Sequence, residues 1–238
     1  MIVDQLADEI DRQLRSRGTP ERAAKEKAYL KSELQHYGTT VPDVRSVTKS
    51  LVRAQGPLAH DELIAVVVEL WEIPVHERRM AVVELLAQHV SVLRSRDISL
   101  LERLLRESRT WAFVDVLAGS IVGPLFDRDP KLGSVLDRWA ADDDFWIRRS
   151  ALLALLGGLR RGNGDFDRFS RYADAMLEEK EFFVRKAIGW VLRETGKKRP
   201  DLVYEWVLPR AARASGVTLR EAVKPLTEAQ RASVLAAR

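Results

Sequence analysis

Hydrophobic residues along the chain recur mainly at spacings of three and four positions, which places them on one face of a helix. The pattern is clearest in four segments: Glu62–Trp71, Glu77–Val90, Trp146–Leu159 and Phe182–Thr195. Proline and glycine fall between the periodic segments, where helices begin and end. No segment alternates with a sustained period of two, as a half-buried strand would. The pattern therefore predicts an all-α protein of about twelve to fourteen helices with short connections.

A weak internal repeat links these segments. Residues 145–152 align with residues 182–189 at a displacement of 37, residues 110–117 precede the first of these by 35, and residues 77–83 fit about 35 earlier again. A period in this range, with two helices per unit, is typical of HEAT-like repeats, whose units stack because a single helix pair cannot bury its apolar face. We therefore predict one HEAT-like solenoid domain over residues 1–238, curved and with a basic concave face.

The repeat register aligns Asp115 with Ser150 and Ala187, and it places Arg149 and Lys186 one position earlier. If the repeats are regular, the acidic and basic side chains come from adjacent helices of one layer. The register thus predicts a surface on which a carboxylate lies close to cationic groups.

Asp115 is the only charged residue in the apolar run Trp111–Phe126. Trp111 precedes it by four positions, so on a helix the indole and the carboxylate share a face. A carboxylate in such surroundings is costly unless it is paired or functional. Two interpretations therefore stay open: Asp115 caps a helix or pairs with an arginine of a neighbouring helix, or it takes part in chemistry. Burial of Asp115 with an arginine partner, or its placement on the convex face of the solenoid, would rule out the chemical role.

The distribution of charge along the chain indicates the kind of partner that the protein could bind. The 238 residues carry a net charge of +4, of which about −1 falls in residues 1–140 and about +5 in the remainder. Such a field in one half of the chain suits a polyanion such as DNA, although solvated helix ends explain it equally well. Lys186, Trp190 and Arg193 share one helical face by their spacing, which would set cations beside an aromatic ring.

Other classes of site find no support in the sequence. The chain has no cysteine, which excludes disulfides and thiolate ligands, and its four histidines show no ligand spacing, so neither a metal nor a cofactor is expected. The amphipathic, acidic N-terminus is unlike a signal peptide, and no apolar run has membrane-spanning length. We therefore expect a cytoplasmic protein that does not associate with membranes. Nothing indicates an obligate dimer, so a monomer is expected.

A surface that combines a carboxylate, cationic side chains and tryptophan rings could cleave an N-glycosidic bond whose leaving base is already cationic. Arginine and lysine would hold the phosphates, tryptophan rings attract cations, and a carboxylate would stabilise positive charge at the sugar C1′ or orient a water for attack. Residue types alone do not specify this chemistry, because tryptophans in helical repeats are usually core residues.

Five stretches carry a more specific pattern. They are Glu69-Leu-Trp-Glu-Ile-Pro74, Thr110-Trp-Ala-Phe-Val-Asp115, Phe145-Trp-Ile-Arg-Arg149, Glu181-Phe-Phe-Val-Arg-Lys-Ala-Ile-Gly-Trp-Val-Leu-Arg-Glu194 and Thr218-Leu-Arg-Glu-Ala-Val-Lys224. Together they resemble the alkylpurine DNA glycosylases of the HEAT-like-repeat class, the AlkD-type DNA alkylation repair enzymes. The resemblance spans about residues 25–225, and the fourth stretch is the most specific.

The resemblance implies a role for each matching residue. Asp115 matches the catalytic carboxylate, Trp111 and Trp190 match the aromatics beside the lesion, and Arg149 matches an arginine near the DNA backbone. Further DNA contacts are implied for a second group of residues, with Arg148 replacing Arg149 if the register shifts by one: Tyr29, Arg148, Lys186 and Arg193. Thr110 and Ala112 depart from residues found in some members, which could alter lesion preference.

The resemblance also implies an activity. Such enzymes hydrolyse the bond to N3- or N7-alkylated purines in duplex DNA, leave an abasic site without strand cleavage, need no metal or organic cofactor, and do not fully flip the base. The alternative is a non-catalytic HEAT-like module that binds DNA or a protein partner, for which Asp115 would be dispensable. A glycosylase for bulky or cross-linked adducts also stays open.

Overall fold

The computed structural model describes residues 2–238. In this part of the chain the secondary structure is helical apart from one isolated bridge between Gln35 and Val75. The prediction of an all-α fold is therefore confirmed. None of the described helices is both long enough and apolar enough to cross a membrane.

The helices group into two compact units, which meet in sequence between Arg94 and Ser95. The organisation of residues 1–238 as one domain stays a prediction. Unit 1 contains five α-helices: α1 (Ile2–Arg17), α2 (Pro20–Leu30), α3 (Val41–Gln55), α4 (His60–Glu72) and α5 (His76–Gln88). Helix α5 is buried on nearly every side and packs against α1, α3 and α4, so it forms the centre of this unit.

Unit 2 contains eleven further α-helices. They are α6 (Ile98–Ser108), α7 (Trp111–Val116), α8 (Gly123–Arg128), α9 (Gly133–Ala140), α10 (Phe145–Ala154), α11 (Leu156–Arg161), α12 (Phe166–Ala175), α13 (Phe182–Gly196), α14 (Pro200–Val207), α15 (Gly216–Ala222) and α16 (Glu228–Ala236). Helix α10 packs against α6, α7, α9 and α13, and α13 packs in turn against α15. More residues are buried in α10 and in α13 than in any other helix of this unit.

The repeat is visible in the starts of four helices. Helices α5, α7, α10 and α13 begin at residues 76, 111, 145 and 182, at intervals of 35, 34 and 37 residues. The sequence alignment equates Thr110 with Phe145 and Phe182, which are the first residues of α10 and α13. In the structure Thr110 is the N-cap before α7, so the helices align one position away from the sequence alignment. Asp115, Arg149 and Lys186 are consequently each the fifth residue of their helices.

One segment that the sequence predicts as a single helix is divided, and a second break follows Asp115. Residues 146–159 split into α10 and α11 at Leu155. After Asp115, six residues from Leu117 to Val122 form a π-helical segment before α8 begins. A β-carbon on Gly123 would lie 2.7 Å from the carbonyl oxygen of Ala154, so only glycine permits this close approach to α10. Periodicity does not report such breaks, because they depend on contacts with other helices.

A buried carboxylate organises unit 1. Glu77, on α5, has none of its surface exposed. Its oxygens accept hydrogen bonds from the backbone N–H groups of Tyr37, Gly38 and Thr39 at 2.9, 2.6 and 3.1 Å. Three charge-assisted hydrogen bonds offset the cost of burying the charge, and they hold the segment before α3 against α5.

Candidate active site around Asp115

A tight turn sets the direction of the helix that carries Asp115. Arg109, which ends α6, adopts a left-handed conformation with φ of 45°, which is uncommon for a residue other than glycine. Thr110 then caps α7 by accepting a hydrogen bond from the backbone N–H of Ala112. Trp111 is the first residue of α7 and keeps 37% of its surface exposed. Asp115 therefore lies one helical turn after Trp111, on the same face of α7.

Asp115 forms a two-point ion pair with Arg149 of α10. Both oxygens of the carboxylate accept hydrogen bonds from the guanidinium, Oδ1 from Nε and Oδ2 from Nη2, each at 2.8 Å. The arginine side chain is almost fully buried, with 2% exposed, whereas 18% of the aspartate side chain stays exposed. The carboxylate is thus held at the boundary between the core and the solvent.

Arg149 also reaches a third helix. Its Nη1 donates a hydrogen bond to the backbone carbonyl of Phe183, in the first turn of α13. The ring of Phe183 lies 4.8 Å from that of Trp146, and the guanidinium of Arg149 lies 5.8 Å from the Phe183 ring centre. Arg149 consequently links α7, α10 and α13 and fixes the carboxylate of Asp115 relative to all three.

Three residues of α13 share one face of that helix. Phe182, Lys186 and Trp190 follow one another at intervals of four residues, so they line one face of the helix. Phe182 is 52% exposed, and the Nζ of Lys186 lies 5.8 Å from its ring centre. Trp190 is half-buried one turn further on. Phe182 is not among the residues predicted for the site, although its spacing of four from Lys186, which in turn precedes Trp190 by four, is visible in the sequence.

Two of the predicted DNA contacts, Arg148 and Arg193, form polar contacts within unit 2. Arg148 donates to the backbone carbonyls of Asp142 and Asp143 and to the carboxylate of Glu179. Burial alone would raise the pKa of Glu179, but the charge and the hydrogen bond of Arg148 outweigh it and lower that pKa. Of the two neighbouring arginines that the sequence left open, Arg149 is the one beside Asp115.

Arg193 is occupied in a similar way, with its guanidinium bound to the carboxylates of Glu221 on α15 and of Glu194. Its position follows from the close contact between α13 and α15, where a β-carbon on Gly189 would lie 2.8 Å from that of Glu221. The glycine of the most specific stretch therefore permits helix packing. In the structure Arg193 links α13 to α15 through Glu221. To bind DNA as predicted, it would have to replace a carboxylate partner with a phosphate.

Tyr29 belongs to unit 1. It lies on α2 with 74% of its surface exposed, and it lines a surface cleft together with Arg22 and Lys25. An exposed aromatic ring beside two cations is suited to a nucleic acid strand. Its role in binding DNA stays a prediction, as does the basic concave face.

The pairing of Asp115 with Arg149 bears on both interpretations that the sequence left open. The arginine partner on a neighbouring helix is the feature that a purely structural role requires. A carboxylate offers about four acceptor positions, however, and the two hydrogen bonds from Arg149 leave positions for a water or a sugar. Asp115 keeps 18% of its side chain exposed, so Arg149 does not cover it completely. The ion pair therefore orients the carboxylate without enclosing it.

Helices that recur every 34 to 37 residues define a HEAT-like helical-repeat protein. Its candidate site combines the carboxylate of Asp115 on α7 with the exposed rings of Trp111 and Phe182, the first residues of α7 and α13. The family model of DNA alkylation repair enzymes matches residues 10–226. The chain belongs to this family, and its role is accordingly in the repair of alkylation damage, with DNA as its partner.

Solved structures show the same fold. A predicted DNA alkylation repair enzyme from Enterococcus faecalis is 23% identical and superimposes with a TM-score of 0.79, covering 89% of this chain and 98% of that one. AlkD2 from Streptococcus mutans is 17% identical, with a TM-score of 0.59 and coverage of 87% and 98%. Comparison with curated proteins gives no significant match.

Proposed function

We propose that the protein is a monofunctional DNA glycosylase that hydrolyses the N-glycosidic bond of N3- and N7-alkylated purines in duplex DNA and leaves an abasic site. The observation that carries the proposal is the carboxylate of Asp115, held in place by Arg149 and still open to solvent one turn from the exposed Trp111. The proposal includes action as a monomer, in the cytoplasm, on bacterial-type nucleoid DNA.

The proposed reaction needs little acid catalysis. An N3- or N7-alkylated purine carries a positive charge, so it departs as a neutral base with the electron pair of the glycosidic bond. Positive charge then develops at C1′, where the negative carboxylate of Asp115 would stabilise it. A water oxygen bonds to C1′, and its proton passes to Asp115 or to solvent. Arg149 acts as a positioning residue, because its two hydrogen bonds fix the direction in which the carboxylate faces.

The aromatic side chains would hold the lesion without full base flipping. Trp111 and Phe182 are exposed at the starts of α7 and α13, where they can meet a duplex at its surface. An electron-rich indole attracts a cationic base through its ring quadrupole, and a neutral purine gains less from the same contact. This difference would select alkylated purines over normal ones.

The test is the release of 7-methylguanine and 3-methyladenine from methylated duplex DNA, with and without EDTA. We expect wild-type protein to release free bases and leave alkali-labile abasic sites, without direct strand breaks, in both conditions. Strand breaks before alkali treatment would contradict the monofunctional reaction, and activity lost in EDTA at an unchanged melting temperature would contradict metal-independent catalysis.

The ion pair itself favours a second candidate, a non-catalytic module that binds DNA or a protein partner. If Asp115 only neutralises the buried Arg149, the pair stabilises the contact between α7 and α10 and has no chemical role. This candidate predicts duplex binding by wild-type protein with no release of any alkylated base.

Replacing Trp111 by alanine is expected to lower the kcat/KM for base release by about 3- to 30-fold, since a cation–ring contact contributes roughly 0.5–2 kcal/mol. Trp111→Phe, which keeps an aromatic face, should recover part of the loss. The matched control is Leu235→Ala, which removes another exposed large hydrophobic side chain of unit 2. Equal losses from Trp111→Ala and Leu235→Ala would argue against a lesion contact at Trp111.

A further inference from the structure

Three potential metal ligands meet inside unit 1, away from the sequence positions of the glycosylase proposal. Glu26, His36 and His76 each offer one ligand atom, and these atoms all lie within 4.8 Å of one another. The rings of the two histidines are stacked, with centres 4.4 Å apart and planes inclined by 11°. Neutral imidazoles and a carboxylate are ligands suited to a divalent transition metal.

Backbone pairing brings the two histidines together across forty residues of sequence. The N–H of Gln35 donates to the carbonyl of Pro74 at 3.1 Å, and the N–H of His76 donates to the carbonyl of Gln35 at 2.8 Å. Gln35 and Val75 thereby form a parallel bridge. The residue after each bridge partner points to the same side, so the imidazoles of His36 and His76 lie next to each other. Local spacing in the sequence cannot reveal such a pair.

The side chain of His36 faces this cluster without the hydrogen bonds that a buried ring normally makes. It is 1% exposed, and within the described part of the chain neither Nδ1 nor Nε2 has a hydrogen-bond partner, nor does Oε2 of Glu26. Nδ1 of His36 and Oε2 of Glu26 are 3.6 Å apart, which is beyond a hydrogen bond. Buried polar groups are nearly always hydrogen-bonded, and exceptions commonly mark a bound water or ion.

A second residue orients the carboxylate. Oε1 of Glu26 accepts a hydrogen bond from Nη2 of Arg22 at 3.2 Å, one turn earlier on α2. This contact leaves Oε2 directed at His36. Ligating carboxylates in metal sites are usually held by such an outer hydrogen bond. The guanidinium also balances part of the charge on Glu26 while the cluster holds no metal.

We propose that Glu26, His36 and His76 form a site for a divalent transition metal, with zinc as the best match, which links α2 to the segment before α3 and to the start of α5. Two nitrogen ligands and one oxygen ligand suit zinc, with a water completing the tetrahedron. Rotation of the stacked rings would bring their nitrogens to about 2.0–2.1 Å from the ion. His36 and Glu26 each line a surface cleft.

The test uses the full-length protein after treatment with EDTA and removal of the chelator. Titration with Zn²⁺ should show saturable binding of about one ion per chain, and Co²⁺ should produce the visible absorption bands of a tetrahedral site. His36→Gln and Glu26→Gln should each weaken Zn²⁺ binding by at least about tenfold. Bound zinc should raise the melting temperature of the wild type but not of these variants.

His60→Gln is the matched control, since His60 also lies beside a carboxylate, that of Asp61 at 2.7 Å, yet outside the cluster. It should bind zinc as the wild type does. Absence of saturable Zn²⁺ binding and of Co²⁺ bands in the wild type would overturn the proposal, as would equal affinity in His36→Gln and the wild type. The readouts are ion binding and melting temperature, so the outcome does not depend on the glycosylase proposal.

Discussion

Replacing Asp115 by asparagine is expected to lower the rate of 7-methylguanine and 3-methyladenine release by roughly a hundredfold to a thousandfold, with little change in duplex affinity. Asparagine keeps the size of the side chain and one oxygen that can accept from Arg149, but it carries no charge to stabilise the developing cation at C1′. Single-turnover release from methylated duplex DNA measures the chemical step, and fluorescence anisotropy measures binding. Asp115→Ala should have at least the same effect on release, and it should also destabilise the protein because it leaves Arg149 buried without its partner.

The chain provides a matched control for this substitution. Asp127 forms an ion pair with Arg161 at 2.6 Å, over the same sequence separation of 34 residues as Asp115 and Arg149. Asp127→Asn removes a charge of the same type from the same unit, and it should leave release unchanged. Similar losses in both variants would assign the effect to stability. Duplex binding without release by the wild type would favour the non-catalytic module, unless DNA with bulky or cross-linked adducts proves to be a substrate.

Replacing Glu77 by alanine is expected to lower the free energy of unfolding of unit 1 by about 3–5 kcal/mol. The change removes a fully buried carboxylate and leaves the N–H groups of Tyr37, Gly38 and Thr39 without their acceptor. Urea unfolding, monitored through the hydrogen exchange of backbone amides in unit 1, measures this change in the free energy of unfolding. Glu77→Gln should lose less, because the amide oxygen still accepts from part of this set.

The control for this prediction is Glu33→Ala, which removes an exposed carboxylate from the loop that follows α2. Surface substitutions of this kind usually change stability by no more than about 0.5 kcal/mol. Exchange rates that rise equally in the Glu33 and Glu77 variants would show that the buried carboxylate does not organise this unit.

Much of the fold follows from the order of residues alone. A period of three to four residues reports which positions face a core, and it does so locally. The all-α class is therefore predicted correctly, as are three of the four clear helical segments, whereas residues 146–159 divide at Leu155. The repeat interval also follows from sequence, since α7, α10 and α13 begin 34 to 37 residues apart. Asp115 stands out for the same local reason, as a lone charge in an apolar run.

Sequence could not supply the positions that depend on contacts between helices. The choice between Arg148 and Arg149 rests on which side of α10 meets α7, and a helix turns by about 100° for each residue. Because Thr110 is an N-cap, α7 begins one residue later than the sequence alignment implies. Asp115, Arg149 and Lys186 are therefore each the fifth residue of their helices. Arg193 looked available for DNA, and only the packing of α13 on α15 shows its carboxylate partners.

By itself, the sequence determined the helical class, the repeat and the identity of a lone carboxylate with an aromatic neighbour, because each is a property of residues a few positions apart. The tertiary structure decided that Asp115 is paired with Arg149 yet still open to solvent, and that His36 lies against His76. These facts join residues 34 and 40 positions apart, and only the packed chain brings such residues within a few ångströms.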